Sequence, residues 1–181
     1  TYSKEMLEYL DLLELMDDTI VVFFSDHGTS LGEKLGEKMY GSFTYDYTIK
    51  SYVVFIHDKF PSKAIHSQVR SIDIMPTILD ILGVKSDKSL KKMDGESLLP
   101  LIDSSGYNGF FNFFRKKQNE RIAYVETGGL NGPWPSPDEP NVKAIRTNEW
   151  KLIHNITPGE WELYNLISDP NEEINLFGTQ K

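Results

Sequence analysis

Between Thr19 and Gly32 the chain runs T-I-V-V-F-F-S-D-H-G-T-S-L-G. Ile20 to Phe24 are apolar and rich in β-branched and aromatic types, which reads as a strand covered on both faces, as in a parallel sheet. Ser25, Asp26, His27 and Gly28 follow at its C-terminal end, the edge where open α/β sheets place their ligands. Asp26 offers a hard oxygen and a neutral His27 a nitrogen, so the pair makes a metal corner. The simpler alternative is a strand that ends in a polar turn. Gly28 lets the backbone turn sharply away from the strand without a side chain in the way.

Working outward, the segment before this strand is a helix from Ser3 to about Asp17, with Met6, Tyr9, Leu10, Leu13 and Met16 on one face. A helix leading at once into a strand is a unit of α/β architecture. Downstream, Thr29–Tyr47 reads as a glycine-containing loop bearing Lys34, Lys38, Tyr40, Tyr45 and Asp46. Tyr52–Ile56 is a second apolar strand, expected beside the first in one largely parallel sheet. Ser71–Leu82 is a second helix, with Pro76 in its first turn and Gly83 as its stop. Asp73 there reads as a first-turn charge that favours the helix dipole.

Composition shifts after Asp103, and Ser104-Ser105-Gly106 reads as a boundary. This divides the chain into residues 1–103, an α/β core region, and 104–181, a small antiparallel β subdomain. In the second part Arg121–Glu126 is strand-like. Val142–Ile156 holds a hairpin turning at Thr147-Asn148-Glu149, and Thr157-Pro158-Gly159 is the next turn, before Trp161–Leu166.

The whole chain sets outer limits. It has 181 residues, 39% of them hydrophobic, with a net charge of −8 and no cysteine. No basic stripe appears, which argues against nucleic acid as a partner. Disulfides and thiolate zinc sites are excluded. No apolar run approaches ~20 residues, so there is no membrane-spanning segment. The chain opens directly into a helix with no signal-peptide pattern, as expected of a piece of a longer polypeptide.

These residues support a family resemblance spread over nearly the entire chain. Helix, strand, Ser25-Asp26-His27-Gly28 and then Gly32-Glu33 are followed by Tyr45-Asp46 and by D-I-x-P-T-x-L-D-x-x-G at Asp73–Gly83. Gly95–Leu101 follows, then Ile145-Arg146-Thr147, Trp150-Lys151-Leu152, Glu162-Leu163-Tyr164-Asn165-Leu166, and Asp169-Pro170 with Glu172 and Glu173. In this order they resemble the C-terminal portion of a sulfatase of the alkaline-phosphatase superfamily.

The resemblance implies the C-terminal part of an alkaline-phosphatase-like α/β sandwich with a small antiparallel C-terminal subdomain. It implies a sulfuric ester hydrolase acting on sulfate esters with a divalent metal, usually calcium, and it assigns Asp26 and His27 as two metal ligands. The nucleophile lies in the family's N-terminal half, within a C/S-x-P-x-R pattern this chain lacks. No catalytic residue is therefore assigned here, and the isolated chain is expected to be inactive. The family's sulfate-contacting lysine falls four residues before the Tyr-acid pair, where this chain has Gly41; Lys38 is the candidate substrate-binding substitute. Two alternatives stand beside the sulfatase reading. One is part of a metal-dependent phosphodiesterase or phosphonate monoester hydrolase, and the other is a non-catalytic interaction module.

Overall fold

The computed structural model describes residues 2–34, 43–84, 93–102, 121–128 and 141–179. Helix α1 spans Tyr2–Leu12, shorter than the expected run to Asp17. Its end has a specific cause. Glu14 takes a left-handed backbone (φ 56°), Glu14 N–H donates to the Asp11 carbonyl and Leu15 N–H to the Leu10 carbonyl. This pair of bonds is the Schellman closure, which satisfies the last helical carbonyls and turns the chain. A short 3-10 turn, Met16–Asp18, leads into strand β1, Val21–Phe24.

Strand β2, Val53–Ile56, lies beside β1 as expected, but the pair is antiparallel, with Val21 opposite Ile56 and Phe24 opposite Val53. The expectation of parallel neighbours is therefore corrected. A parallel pair needs a crossover, usually a helix of a dozen residues or so, to carry the chain back. Among the described residues, the only helix between these strands is α2, Asp46–Ile49, a single turn. The chain leaves β1 and re-enters β2 at the same end, where Ser25 N–H donates to the Tyr52 carbonyl. Nor is β1 covered on both faces by the described residues: Val21 is buried while Phe24 is 55% exposed.

A 3-10 turn, Ser71–Asp73, precedes α3, Ile74–Ile81, so the second expected helix is present, with its first turn tighter than α. Pro76 lies in the first turn, where no intrahelical N–H is needed. Gly83 closes the helix at φ 65°, with Gly83 N–H on the Asp80 carbonyl and Val84 N–H on the Leu79 carbonyl. Asp73 is buried, and its carboxylate accepts the Glu96 N–H at 2.9 Å instead of capping the helix. Thr77 hydroxyl then accepts the Leu98 N–H, tying α3 to the segment that enters α4, Leu99–Ile102.

The second sheet is four-stranded and wholly antiparallel: β3 Ala123–Thr127, β4 Val142–Arg146, β5 Trp150–Asn155 and β6 Glu160–Asn165, in that spatial order. The turns at 147–149 and 157–159 fall where the sequence places them. Period-two alternation sends Val142, Ala144, Ile153 and Tyr164 inward, where they bury together with Tyr45 and Leu166. Ile145 and Trp150 face out. Contacts gather the described residues into two units interleaved along the chain. One holds residues 2–25, 52–65, 72–84 and 93–102; the other holds 26–34, 43–51, 66–71, 121–128 and 141–179. The proposed boundary at Ser104–Gly106 lies outside the described residues.

Candidate functional site

The backbone leaves the extended conformation after Phe24, so Asp26 and His27 are released from a strand's alternation. Their side chains converge, with His27 Nε2 3.5 Å from Asp26 Oδ2. The His27 N–H donates to Asp26 Oδ1 at 2.9 Å, which fixes the carboxylate. His27 Nδ1 lies 2.5 Å from the Gly28 carbonyl oxygen, which holds the ring by that nitrogen and leaves Nε2 on the side of Asp26 Oδ2. A backbone carbonyl setting the ring in this way is the usual second partner of a metal-ligating histidine. The 3.5 Å between the donor atoms suits two neighbouring ligands of one cation, each about 2.3–2.6 Å from it. Both side chains are accessible, Asp26 at 82% and His27 at 44%. The two residues fit a divalent cation as one corner of its coordination shell. Among the described residues no cluster of three or more His, Asp or Glu completes that shell.

Gly28 fixes where this corner stands. Its N–H donates to the Thr48 carbonyl at 2.6 Å, and a Cβ at Gly28 would lie 2.2 Å from the Tyr47 carbonyl oxygen. Only glycine permits this approach to α2.

Helix α2 is in turn clamped by the antiparallel sheet. Arg146 grips the Asp46 carboxylate with two bonds, Nε to Oδ1 at 2.9 Å and Nη2 to Oδ2 at 2.7 Å. Its remaining Nη1 serves the Gln68 side chain and the Thr147 carbonyl. Lys151 has no exposed side-chain surface and places Nζ 2.6 Å from Asp46 Oδ1, 2.7 Å from Glu172 Oε1 and 3.0 Å from the Thr44 carbonyl. Burial alone would raise the Asp46 pKa. The Arg146 hydrogen bonds and the Lys151 charge outweigh it and bring the carboxyl down to about 2. Glu172 moves the other way, because burial outweighs its contacts with Lys151 and with the Asp46 N–H.

A third group lines the same core. Tyr45 and Tyr164 both donate their hydroxyls to Glu162 Oε2, and Asn155 donates to Oε1 at 2.6 Å. Burial beside this carboxylate raises both phenols. Lys34 Nζ stands 4.8 Å over the Tyr45 ring and bonds the Glu172 carbonyl. An open cleft of about 460 Å³, lined by Asp46, Tyr47, Lys50, Arg146, Asn148, Leu166 and Pro170, lies in this unit. Neither Asp26 nor His27 lines it, and its Arg146 is already paired.

Lys38, the expected substrate contact, lies outside the described residues. The linkage of Asp46, Arg146, Lys151 and Glu172 was not read from the sequence, although all four belong to motifs quoted above. A signal was available: Lys151 takes the inward phase of β5 with Ile153, and an inward lysine requires buried acidic partners.

Comparison with known proteins shows what the chain is similar to. Residues 4–84 match the family model described as Sulfatase. The chain is 30% identical over 180 residues to an N-acetylglucosamine-6-O-sulfatase of Bacteroides thetaiotaomicron, covering 96% of this chain and 29% of that protein. A solved structure bound to D-glucosamine-2-N,6-O-disulfate superposes with a TM-score of 0.69 at 28% identity, covering 97% of this chain and 33% of that one. A phosphonate monoester hydrolase from Silicibacter pomeroyi gives a TM-score of 0.72 at 20% identity, over 97% of this chain and 34% of that one, a likeness of fold. The chain thus spans about three tenths of the length of the relatives it matches.

Proposed function

We propose, for a chain that matches the C-terminal portion of sulfatases of the alkaline-phosphatase superfamily over nearly its whole length, that it supplies one metal corner and the closing subdomain of a sulfate ester hydrolase. The observation that carries this reading is the convergence of Asp26 and His27 beyond β1, with Nδ1 engaged by the Gly28 carbonyl and Nε2 left to ligate. The family is generally metal-dependent, and calcium is the ion we assign. Asp26 contributes the hard anionic oxygen that calcium takes as a ligand, and His27 adds a neutral nitrogen beside it. When bound, such a cation neutralises charge on the ester's non-bridging oxygens. Lys38 is assigned to the sulfate as a point charge. The nucleophile is assigned to a part of the protein outside this chain, which alone turns over no sulfate ester.

The test uses the full-length protein. Calcium binding by calorimetry and hydrolysis of an aryl sulfate should both fall by orders of magnitude in Asp26→Ala and His27→Ala while the circular dichroism spectrum stays the same. Undiminished calcium affinity in either variant sinks the metal assignment. Glucosamine 6-O-sulfate esters are the first carbohydrate substrates to assay, given the similar N-acetylglucosamine-6-O-sulfatase. A second reading, hydrolysis of phosphonate or phosphate esters, is favoured by Gly41 at the position of the family's sulfate-contacting lysine. Faster turnover of an aryl phosphonate than of the matched aryl sulfate decides for it.

A further inference from the structure

Glu172 has an unusual set of properties for a residue in a closing tail. It is 1% exposed, and it holds a left-handed backbone (φ 57°) that a non-glycine residue adopts only when its surroundings require it. The turn that presents it is braced by Asp169, whose carboxylate oxygens accept the N–H groups of Glu173 and Ile174 at 3.0 and 2.9 Å. From that position Glu172 makes three contacts at once. Oε2 accepts the Asp46 N–H at 2.6 Å, Oε1 meets Lys151 Nζ at 2.7 Å, and its backbone carbonyl accepts Lys34 Nζ.

Two of those contacts bear on the loop that carries Asp26 and His27. Asp46 opens α2, and α2 offers the Thr48 carbonyl that receives the Gly28 N–H. Lys34 ends the described part of the same loop. The segment 26–34 is thus tethered near both ends, through α2 at Gly28 and directly at Lys34, and both tethers lead to Glu172.

We infer that Glu172 is a positioning residue for the Asp26–His27 corner, acting through α2 on one side and through Lys34 on the other. Its functional consequence rests on the metal reading above, whereas its geometric content does not. Removing the Glu172 charge leaves Asp46 as the one carboxylate on Lys151, beside the Thr44 carbonyl, and weakens the hold on α2. Removing Lys34 Nζ frees the far end of the loop without touching the buried charges. Both changes widen the range of positions open to Asp26 and His27.

The experiment takes the full-length protein as Glu172→Gln, Lys34→Met, Lys34→Arg and Asp26→Ala. Hydrogen exchange over residues 26–34 is read against exchange over β4 and β5, and calcium affinity is measured by calorimetry. Lys34→Met spares the buried charge network and keeps the test open if Glu172→Gln fails to fold. Exchange in 26–34 is expected to accelerate in both loosened variants, with β4 and β5 still protected. Lys34→Arg should restore protection. Calcium affinity should fall about tenfold, the lower end of what an outer partner of a metal ligand contributes. A purely structural role would lower stability across the whole unit and leave the loop no more open than the sheet. Wild-type exchange over 26–34 in Lys34→Met overturns the inference. Wild-type calcium affinity in Asp26→Ala overturns the metal reading instead, and the exchange result still decides the positioning.

Discussion

Lys151 Nζ stands 2.6 Å from Asp46 Oδ1 in a site where the lysine side chain has no solvent exposure. The two residues are far apart in sequence, one opening α2 and the other within β5. Glu172 completes the contact from the tail, so one cation stands between two acids. Exchanging Lys151 for methionine keeps much of the side-chain volume and removes the charge. Two carboxylates would then share a water-poor site with only Arg146 to compensate. Loss of one partner from a buried ion pair costs about 3–5 kcal/mol. Lys151→Met is therefore expected to lower the unfolding free energy by an amount in that range, and a change below ~1 kcal/mol in urea unfolding would show that the cluster is dispensable.

The same cluster sets an acid limit on stability. The Asp46 carboxyl is held at about 2 in the fold, against its ordinary 3.8. A depressed carboxyl contributes stability above its unfolded pKa and loses it as pH falls through the folded value. The window is therefore about pH 4 down to 2, and the contribution is about 2 kcal/mol. Glu172 is raised, so it takes up protons more readily in the fold and partly offsets the loss as pH falls. Urea unfolding between pH 5 and 2 should show a decline that is smaller in Asp46→Asn, a variant already destabilised at pH 7. An identical slope in both proteins would remove Asp46 as the cause.

Tyr45 and Tyr164 share Glu162 as their acceptor, and ionising either phenol would place a second anion against that carboxylate. Both are raised well above the ordinary tyrosine value of about 10. Absorbance titration of the folded protein should show neither residue forming phenolate at pH 11. Tyr45→Phe and Tyr164→Phe should each leave the phenolate signal at that pH unchanged. A drop equal to one tyrosine in either variant would place that phenol in water.

Much of this architecture was legible in the sequence because local signals and burial agreed. The hairpin turns at Thr147–Glu149 and Thr157–Gly159 follow from turn chemistry, and the inward set of β4 and β5 follows from alternation. The end of β1 before Ser25 was readable from Asp26, His27 and Gly28 together. Strand direction was not. An apolar run such as Val21–Phe24 has no directional signal, and the antiparallel return at Tyr52 depends on the path of the intervening loop. The end of α1 was equally hidden, because Glu14 is not a residue type that announces a left-handed closure. The charge cluster was legible only at Lys151, through its inward phase in β5; Asp46 and Glu172 read as surface charges until the fold brings them to it.

Two glycines in the loop after β1 allow a test of what this loop requires. At Gly28 an added Cβ would meet the Tyr47 carbonyl oxygen at 2.2 Å, a backbone atom that can yield only if α2 moves. At Gly32 the backbone is left-handed (φ 103°), and nothing described lies within 4 Å of the added carbon. Gly32→Ala therefore meets backbone strain alone, about 1–3 kcal/mol, and should leave α2 in place. Gly28→Ala forces α2 outward against the Asp46 clamp, an overpacking cost of about 1–3 kcal/mol. It also breaks the 2.6 Å bond from the Gly28 N–H to the Thr48 carbonyl. The two variants should separate on hydrogen exchange at residues 46–49, which accelerates in Gly28→Ala and stays at the wild-type rate in Gly32→Ala. Equal exchange in both would mean that α2 does not define the position of the corner. A larger effect from Gly32→Ala would move that role to the Ser30–Glu33 turn, where Glu33 Oε2 accepts the Leu31 N–H at 2.7 Å.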